Sequence, residues 1–192
     1  MRIDHVIYAA ADLDAAAARI ERELGLAAQG GGRHEGLGTH NRIVPLGGGY
    51  LELLAVADHE EAAASDLGRA LLARLERAGD GLLGWAVAVD DVEPVAQRLG
   101  TALTTIRRQG LTARLTGVAE TVREPFLPFF ISRDDGVADP GVGADAGGIT
   151  WIELAGDATR LEEWLDSAAL PLRLVAGPPG VRAVGIGERE LR

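Results

Sequence analysis

A chain of 192 residues with 47% hydrophobic and 25% charged side chains has material for one substantial core and is not disordered throughout. Its net charge of -10 repels phosphate backbones, which weighs against nucleic-acid binding, and no basic cluster reverses that. Cysteine is absent, so disulfides and thiolate chemistry are excluded.

The first element in chain order is a strand, Ile3-Asp4-His5-Val6-Ile7-Tyr8. Side chains alternate faces along a strand, so Ile3, His5 and Ile7 share one face and Val6 and Tyr8 the other. Asp12 then stands where a helix cap belongs, an Ala-rich segment carries Leu13, Ala17, Ile20 and Leu24 at helical spacing, and Gly25 ends it. Residues 29–41 read as a Gly-rich polar loop that leads into a strand at Arg42–Leu46. Gly47-Gly48-Gly49 turns the chain back into a second strand, Tyr50-Leu51-Glu52-Leu53-Leu54, in which Tyr50, Glu52 and Leu54 share a face. His5 and Glu52 are each one strong potential metal ligand in an apolar strand, and converging in one cup they would form half of a metal site.

Residues 58–81 form a helical connector, after which the opening recurs. Leu82–Val89 is a strand, and a helix follows from Asp91 to about Leu99, with Pro94 in its first turn and Gly100 at its stop. Aligning Asp12-Leu13 with Asp91-Val92 sets Gly84 at the position of His5. Tyr50-Leu51-Glu52-Leu53 matches Trp151-Ile152-Glu153-Leu154, which suggests a duplicated unit. Between these landmarks lie a strand at Leu111–Val118, the Pro-flanked Phe126-Leu127-Pro128-Phe129-Phe130-Ile131-Ser132-Arg133, and a Gly/Asp-rich loop at 134–148 expected to be mobile. A helix at 157–167 and a hairpin at 172–186 end the chain, and the strand at 149–155 either closes the second unit or opens a third. The expected organisation is a first unit at 1–57, the connector at 58–81, a second unit at 82–156 and a helix-plus-hairpin tail at 157–192, all in one domain.

Ile3-Asp4-His5-Val6, the Asp12-Leu13-Asp14 helix start and the Tyr-Leu-Glu-Leu strand resemble the glyoxalase-like domains of the vicinal oxygen chelate superfamily. Gly36-Leu37-Gly38-Thr39-His40-Asn41, Gly49-Tyr50-Leu51-Glu52-Leu53 and Leu127-Pro128-Phe129-Phe130-Ile131 are similar to one bacterial branch of it, and the likeness spans roughly residues 2 to 187. The resemblance implies an α+β fold of paired βαβββ units whose curved sheet forms a cup around one divalent metal. Carried over, the pattern gives His5 and Glu52 as metal ligands from the first unit and Glu153 from the second. The fourth position is Gly84, so His40 or a water fills the gap, or metal binding is lost.

Two ligand sets stay open. His5, His40 and Glu52 would suit Fe, whereas His5, Glu52 and Glu153 would suit Mn, Ni or Zn. Glu153, if not a ligand, is the shuttle base, so Glu153 and His40 are the catalytic candidates. Arg33, His34, Asn41 and Arg133 are the substrate-binding candidates at the cup's mouth. The expected function is a metal-dependent lyase, isomerase or dioxygenase acting on a small oxygen-chelating molecule, and the rival is a metal-free module that sequesters a small compound. A homodimer is compatible with this fold. The amino terminus lacks a signal segment and no run approaches a membrane span of about 20 apolar residues, so a cytoplasmic protein is expected.

Overall fold

A computed structural model of the chain describes residues 1–108, 111–134, 136–137 and 139–192, so part of the 134–148 loop lies outside the described residues. The first unit comprises β1 (Arg2–Ala9), α1 (Leu13–Leu24), β2 (Gln29–His34), β3 (Thr39–Pro45) and β4 (Tyr50–Val56). Helices α2 (His59–Ala64) and α3 (Asp66–Ala78) lead to the second unit: β5 (Gly81–Ala88), α4 (Val92–Leu99), β6 (Leu103–Arg108), β7 (Leu111–Thr116), α5 (Val118–Arg123) and β8 (Phe129–Arg133). The tail adds β9 (Ile149–Ala155), α6 (Ala158–Trp164), β10 (Leu172–Leu174), β11 (Gly180–Ile186) and β12 (Arg189–Leu191).

The repeat begins with its capping chemistry. Asp12 accepts from the Ala15 N–H and Asp91 from that of Glu93, and each helix stops at a glycine with φ 67°, Gly25 and Gly100. The two units join through antiparallel pairing of β1 with β5, giving one eight-stranded sheet in the order β2-β3-β4-β1-β5-β8-β7-β6. Both halves of the cup therefore come from one chain, and the sheet curls until its edge strands β2 and β6 approach each other.

The strand pairing corrects the sequence reading in three places. Residues 29–41 are a hairpin rather than a loop, because Gly31 lets β2 press onto β3; a Cβ there would sit 1.7 Å from the Asn41 carbonyl oxygen. The connector is two helices, broken at Ser65, whose hydroxyl accepts from the Gly68 N–H at 3.0 Å and starts α3. The third place is β9, where the assignment of 149–155 to the second unit is corrected and the alternative, a further unit, agrees with the structure: β9 does not join the main sheet and is followed by α6, β10, β11 and β12. It pairs with β10 and β11 in a separate four-stranded sheet, and the closing strand of the second unit is β8.

Each face of the main sheet has its own core. On the convex side, Val6, Tyr8, Leu51 and Leu53 pack with Leu13, Ala17 and Ile20 of α1, and the same cluster continues through Trp85, Phe130, Ile152 and Trp164 into the tail sheet. The two tryptophans satisfy their indole N–H groups on the carbonyls of Phe126 and Pro128, at 3.0 and 2.8 Å. On the concave side, Ile7, Ala9, Leu54, Ala86, Phe129 and Ile131 surround Leu71, which is fully buried, with Leu67 and Leu75 of α3 beside it. Helix α3 thus fills the apolar part of the cup, and the polar part lies beyond it.

Candidate active site

The register of β1 and β4 builds the site. In this parallel pair His5 stands across from Tyr50 and Ile7 from Glu52, so all four face the concave side. His5 Nε2 lies 3.5 Å from Glu52 Oε2, and both residues are buried, at 3% and 8% exposure. Tyr50 stacks on the His5 ring at 4.5 Å between centroids, and Phe129 meets the ring edge-on at 5.4 Å. The imidazole is therefore held on its face and on its edge.

Asp4 holds it from behind. The pairing of β1 with β5 skips at Asp4, since Ile3 faces Val87 and His5 already faces Ala86. That bulge lets neighbouring side chains meet, and Asp4 Oδ2 contacts His5 Nδ1 at 2.7 Å. Arg133, at the end of β8, donates to both Asp4 oxygens at 2.7 Å each and to the Tyr50 hydroxyl at 3.2 Å. Burial alone would raise the Asp4 pKa, but hydrogen bonds and charge from Arg133 and His5 outweigh it and hold the carboxyl well below its ordinary range. The Arg133 guanidinium is stabilised in turn; burial works against its charge, but the Asp4 partner raises its pKa above the usual value. Burial, with the charges of Asp4 and Glu52, pushes Tyr50 well above the usual phenol range, so it remains a phenol. An ionised Asp4 is acceptor-only, so His5 Nδ1 carries a proton and donates it, and Nε2 is the atom aimed at Glu52.

The other oxygen of Glu52 faces the first hairpin. Asn41 shares its face, donates an amide N–H to Glu52 Oε1, and accepts from the Gly32 N–H at 3.1 Å. His34 Nε2 lies 3.7 Å from the same oxygen, and its Nδ1 contacts Thr39 Oγ1 at 2.9 Å. The side chains of Glu52 and His34 are each 11% exposed and that of Arg133 is 14% exposed, so the recess meets solvent at these three residues.

Other sequence candidates lie elsewhere. His40 alternates with Asn41 and so faces the opposite side of β3, across from Arg33. Arg33 is half exposed and paired with Glu61 at 2.5 Å. His40 borders an open depression of about 720 Å³ on the convex side, together with Asp12 and Asp14 at the start of α1 and Arg42 of β3. Glu153 lies in the tail sheet, across from Ala183 and Arg173, with Arg192 Nη1 at 3.5 Å. It does not face His5. Arg133 reaches the recess, but as the fixed partner of Asp4. Asp4 itself was missed as a site residue, although a carboxylate in an apolar strand beside a histidine already demands a partner.

The donor set tests whether the superfamily's four-ligand metal centre fits here. Matching the units through their helix caps puts Gly84 where His5 stands. Matching the registers of β1 with β4 and β5 with β8 puts Phe129 where Glu52 stands. A Cβ at Gly84 would already touch Thr121 Cγ2 of α5 at 3.6 Å, and Phe129 packs on His5. The second unit therefore offers hydrocarbon where two ligands belong. The first unit brings His5 and His34 to 3.5 and 3.7 Å from the Glu52 oxygens, and among the described residues the second unit adds no ligand beside them. The residues do not fit that centre.

The curled sheet of paired units, with an imidazole and a carboxylate in its cup, defines the class of glyoxalase-like folds. The family model described as a glyoxalase-like domain matches residues 3–169, and the chain belongs to that family. No curated protein sequence matches it. Among solved structures, a hypothetical protein from Staphylococcus aureus is similar, with TM-score 0.69 and 15% identity over 94% of this chain and 88% of that one. A Streptomyces coelicolor methylmalonyl-CoA epimerase variant in complex with 2-nitronate-propionyl-CoA is similar at TM-score 0.56 and 21% identity, over 72% and 98% of the two chains. Both likenesses speak to the fold. Among the described residues no helix is long and apolar enough to cross a membrane.

Proposed function

We propose that this glyoxalase-like chain is an isomerase-type enzyme that moves a proton on a small carbonyl compound without a four-ligand metal centre. Glu52 is the base, and His5 is the group that exchanges the proton with it. The observation that supports this reading is the series of contacts from Glu52 through His5 and Asp4 to Arg133, which is open to solvent at Glu52.

In this mechanism Glu52 removes a proton from carbon beside a carbonyl group. The electron pair of the C–H bond becomes the enolate double bond, and charge develops on the carbonyl oxygen. His34 and Asn41, which flank the other oxygen of Glu52, are the polar groups proposed to face that charge. For a hydroxyketone, delivery of the proton to the adjacent carbon of the enediolate, with the hydroxyl proton passing to the former carbonyl oxygen, completes the isomerisation; its return to the original carbon gives exchange alone. Asp4 keeps the Nδ1 proton of His5 in place, so Nε2 can take the proton from Glu52 and give it back. At 3.5 Å the resting carboxylate and Nε2 are two acceptors, and once Glu52 has taken the carbon proton it becomes a donor to Nε2. One similar structure is named an epimerase, and inversion at carbon through loss and return of a proton is one chemistry that name allows. The divalent ion expected from the sequence has no part in this scheme.

The test is deuterium wash-in at the carbon acid of small ketones and hydroxyketones, followed by proton NMR. The wild type exchanges the proton and Glu52→Gln does not; equal exchange by both removes Glu52 as the base. A second reading, a metal-free binding module, is favoured by the closure of the cup by α3 and Phe129. Binding without exchange in the wild type would select it.

A further inference from the structure

We infer that Glu61 of α2 is a positioning residue for the site: it holds the β2 side of the first hairpin so that His34 stays against Glu52. The inference deepens the proposed reaction and rests on Glu52 being its base. It starts from the composition of β2. Gly30, Gly31 and Gly32 give this end strand of the sheet no side chains with which to grip its surroundings, so the segment that carries His34 is fixed from outside.

Helix α2 supplies that hold, and it takes the two sides of the hairpin tip differently. On the β3 side the Gly38 carbonyl accepts from the N–H groups of Ala57 and Asp58 at 2.9 and 3.1 Å, and a Cβ at Gly38 would sit 2.1 Å from the Ala62 nitrogen. Ser65 adds a bond from its hydroxyl to the Leu37 carbonyl at 2.9 Å. On the β2 side the contact is the Glu61 carboxylate. Its Oε1 accepts from the Gly36 N–H and its Oε2 from Arg33 Nη2, both at 2.5 Å, so its two bonds bracket His34 in the chain. Glu61 is itself fixed in the first turn of α2, where its N–H donates to the Asp58 side chain at 2.9 Å. His34 Nδ1 contacts Thr39 Oγ1 at 2.9 Å across the base of the tip, and its Nε2 lies 3.7 Å from Glu52 Oε1. Release of the tip therefore displaces His34 first, while Asn41 keeps its place through the pairing of β3 with β4. The ion pair with Arg33 is half exposed and contributes little by itself, so the Gly36 bond is the part that matters.

The test is a double-mutant cycle on deuterium wash-in to hydroxyacetone by the full chain. Glu61→Ala is expected to lower kcat/KM for exchange about tenfold, because a polar group facing developing charge is misplaced. Glu61→Gln is expected to lose only about twofold, since its amide oxygen still accepts from Gly36, and Arg33→Ala keeps that bond and wild-type turnover. In the His34→Ala background, Glu61→Ala is expected to cost no more than about a further twofold. The chain has four histidines, so the ring signals of His34 are assigned in proton NMR by their loss in His34→Ala. They are expected to shift in Glu61→Ala while the circular dichroism matches wild type. Wild-type turnover in Glu61→Ala overturns the inference, as do losses that multiply in the double variant or His34 signals that stay in place. If the wild type exchanges no deuterium, Glu52 fails as the base, and the His34 signals alone decide the inference: a shift supports it and no shift overturns it.

Discussion

Asp4 and His5 are consecutive residues of an extended strand, and their side chains meet, Oδ2 to Nδ1, at 2.7 Å. Regular pleating would send them to opposite faces. The skipped residue in the pairing of β1 with β5 brings them together and puts a buried carboxylate between an imidazole and Arg133. The orientation of His5 thus depends on a backbone irregularity and on the end of a strand 129 residues away.

Asp4→Asn breaks this arrangement and leaves Arg133 largely buried without its counter-charge. The expected loss is about 3 kcal/mol at neutral pH, the lower part of the range for breaking buried pairs, because Arg133 retains some exposure. Urea unfolding measures it. The pH dependence follows from the depressed Asp4 pKa in the folded state. Its contribution is complete above the unfolded-state pKa of about 4 and is lost as pH falls from there toward the folded value. The stability gap between wild type and Asp4→Asn therefore narrows as pH falls through the acid range and is flat from neutral pH upward.

Leu71 is the plug of the cup, fully buried among Ile7, Leu54 and Phe129. Leu71→Ala is expected to cost about 2–5 kcal/mol of stability, measured by chemical denaturation. A loss well below that range would mean that α3 does not rest in the concave face.

His40→Ala and Arg33→Ala are expected to leave ligand binding unchanged, since both side chains face away from Glu52. His34→Ala weakens it. Titration of the three variants with hydroxyacetone decides the matter, and loss of binding in His40→Ala would return that residue to the site.

The missing half of the metal centre is open to reconstruction. The double substitution Gly84→His with Phe129→Glu is expected to raise Ni or Co uptake at least about tenfold over wild type, read by elemental analysis and by the visible spectrum of the cobalt form. Circular dichroism checks that α5 tolerates the histidine.

Much of this architecture is readable from particular residues. The alternation about His5 and Glu52 sets their shared face, and the paired Asp caps and Gly stops of α1 and α4 reveal the duplication. The errors have physical causes. Trp151-Ile152-Glu153-Leu154 copies the pattern of the Glu52 strand, while the spatial counterpart, β8, has Phe129 in place of the carboxylate. A Gly-rich strand lacks the residues that announce β structure, so β2 reads as a loop. Once the hairpin register is known, His34 and Asn41 point inward and His40 outward. An amphipathic helix buries the same stripe whichever surface receives it, and α3 gives no sign that it enters the cup. The bulge at Asp4 exists only through its pairing partner, β5.

The most direct measurement is the rate of deuterium wash-in to hydroxyacetone by wild-type protein before and after exhaustive treatment with a metal chelator. An unchanged rate, abolished by Glu52→Gln in the same assay, is the predicted result. Loss of exchange after chelation, restored by adding back Fe, Mn, Ni or Zn, would contradict it.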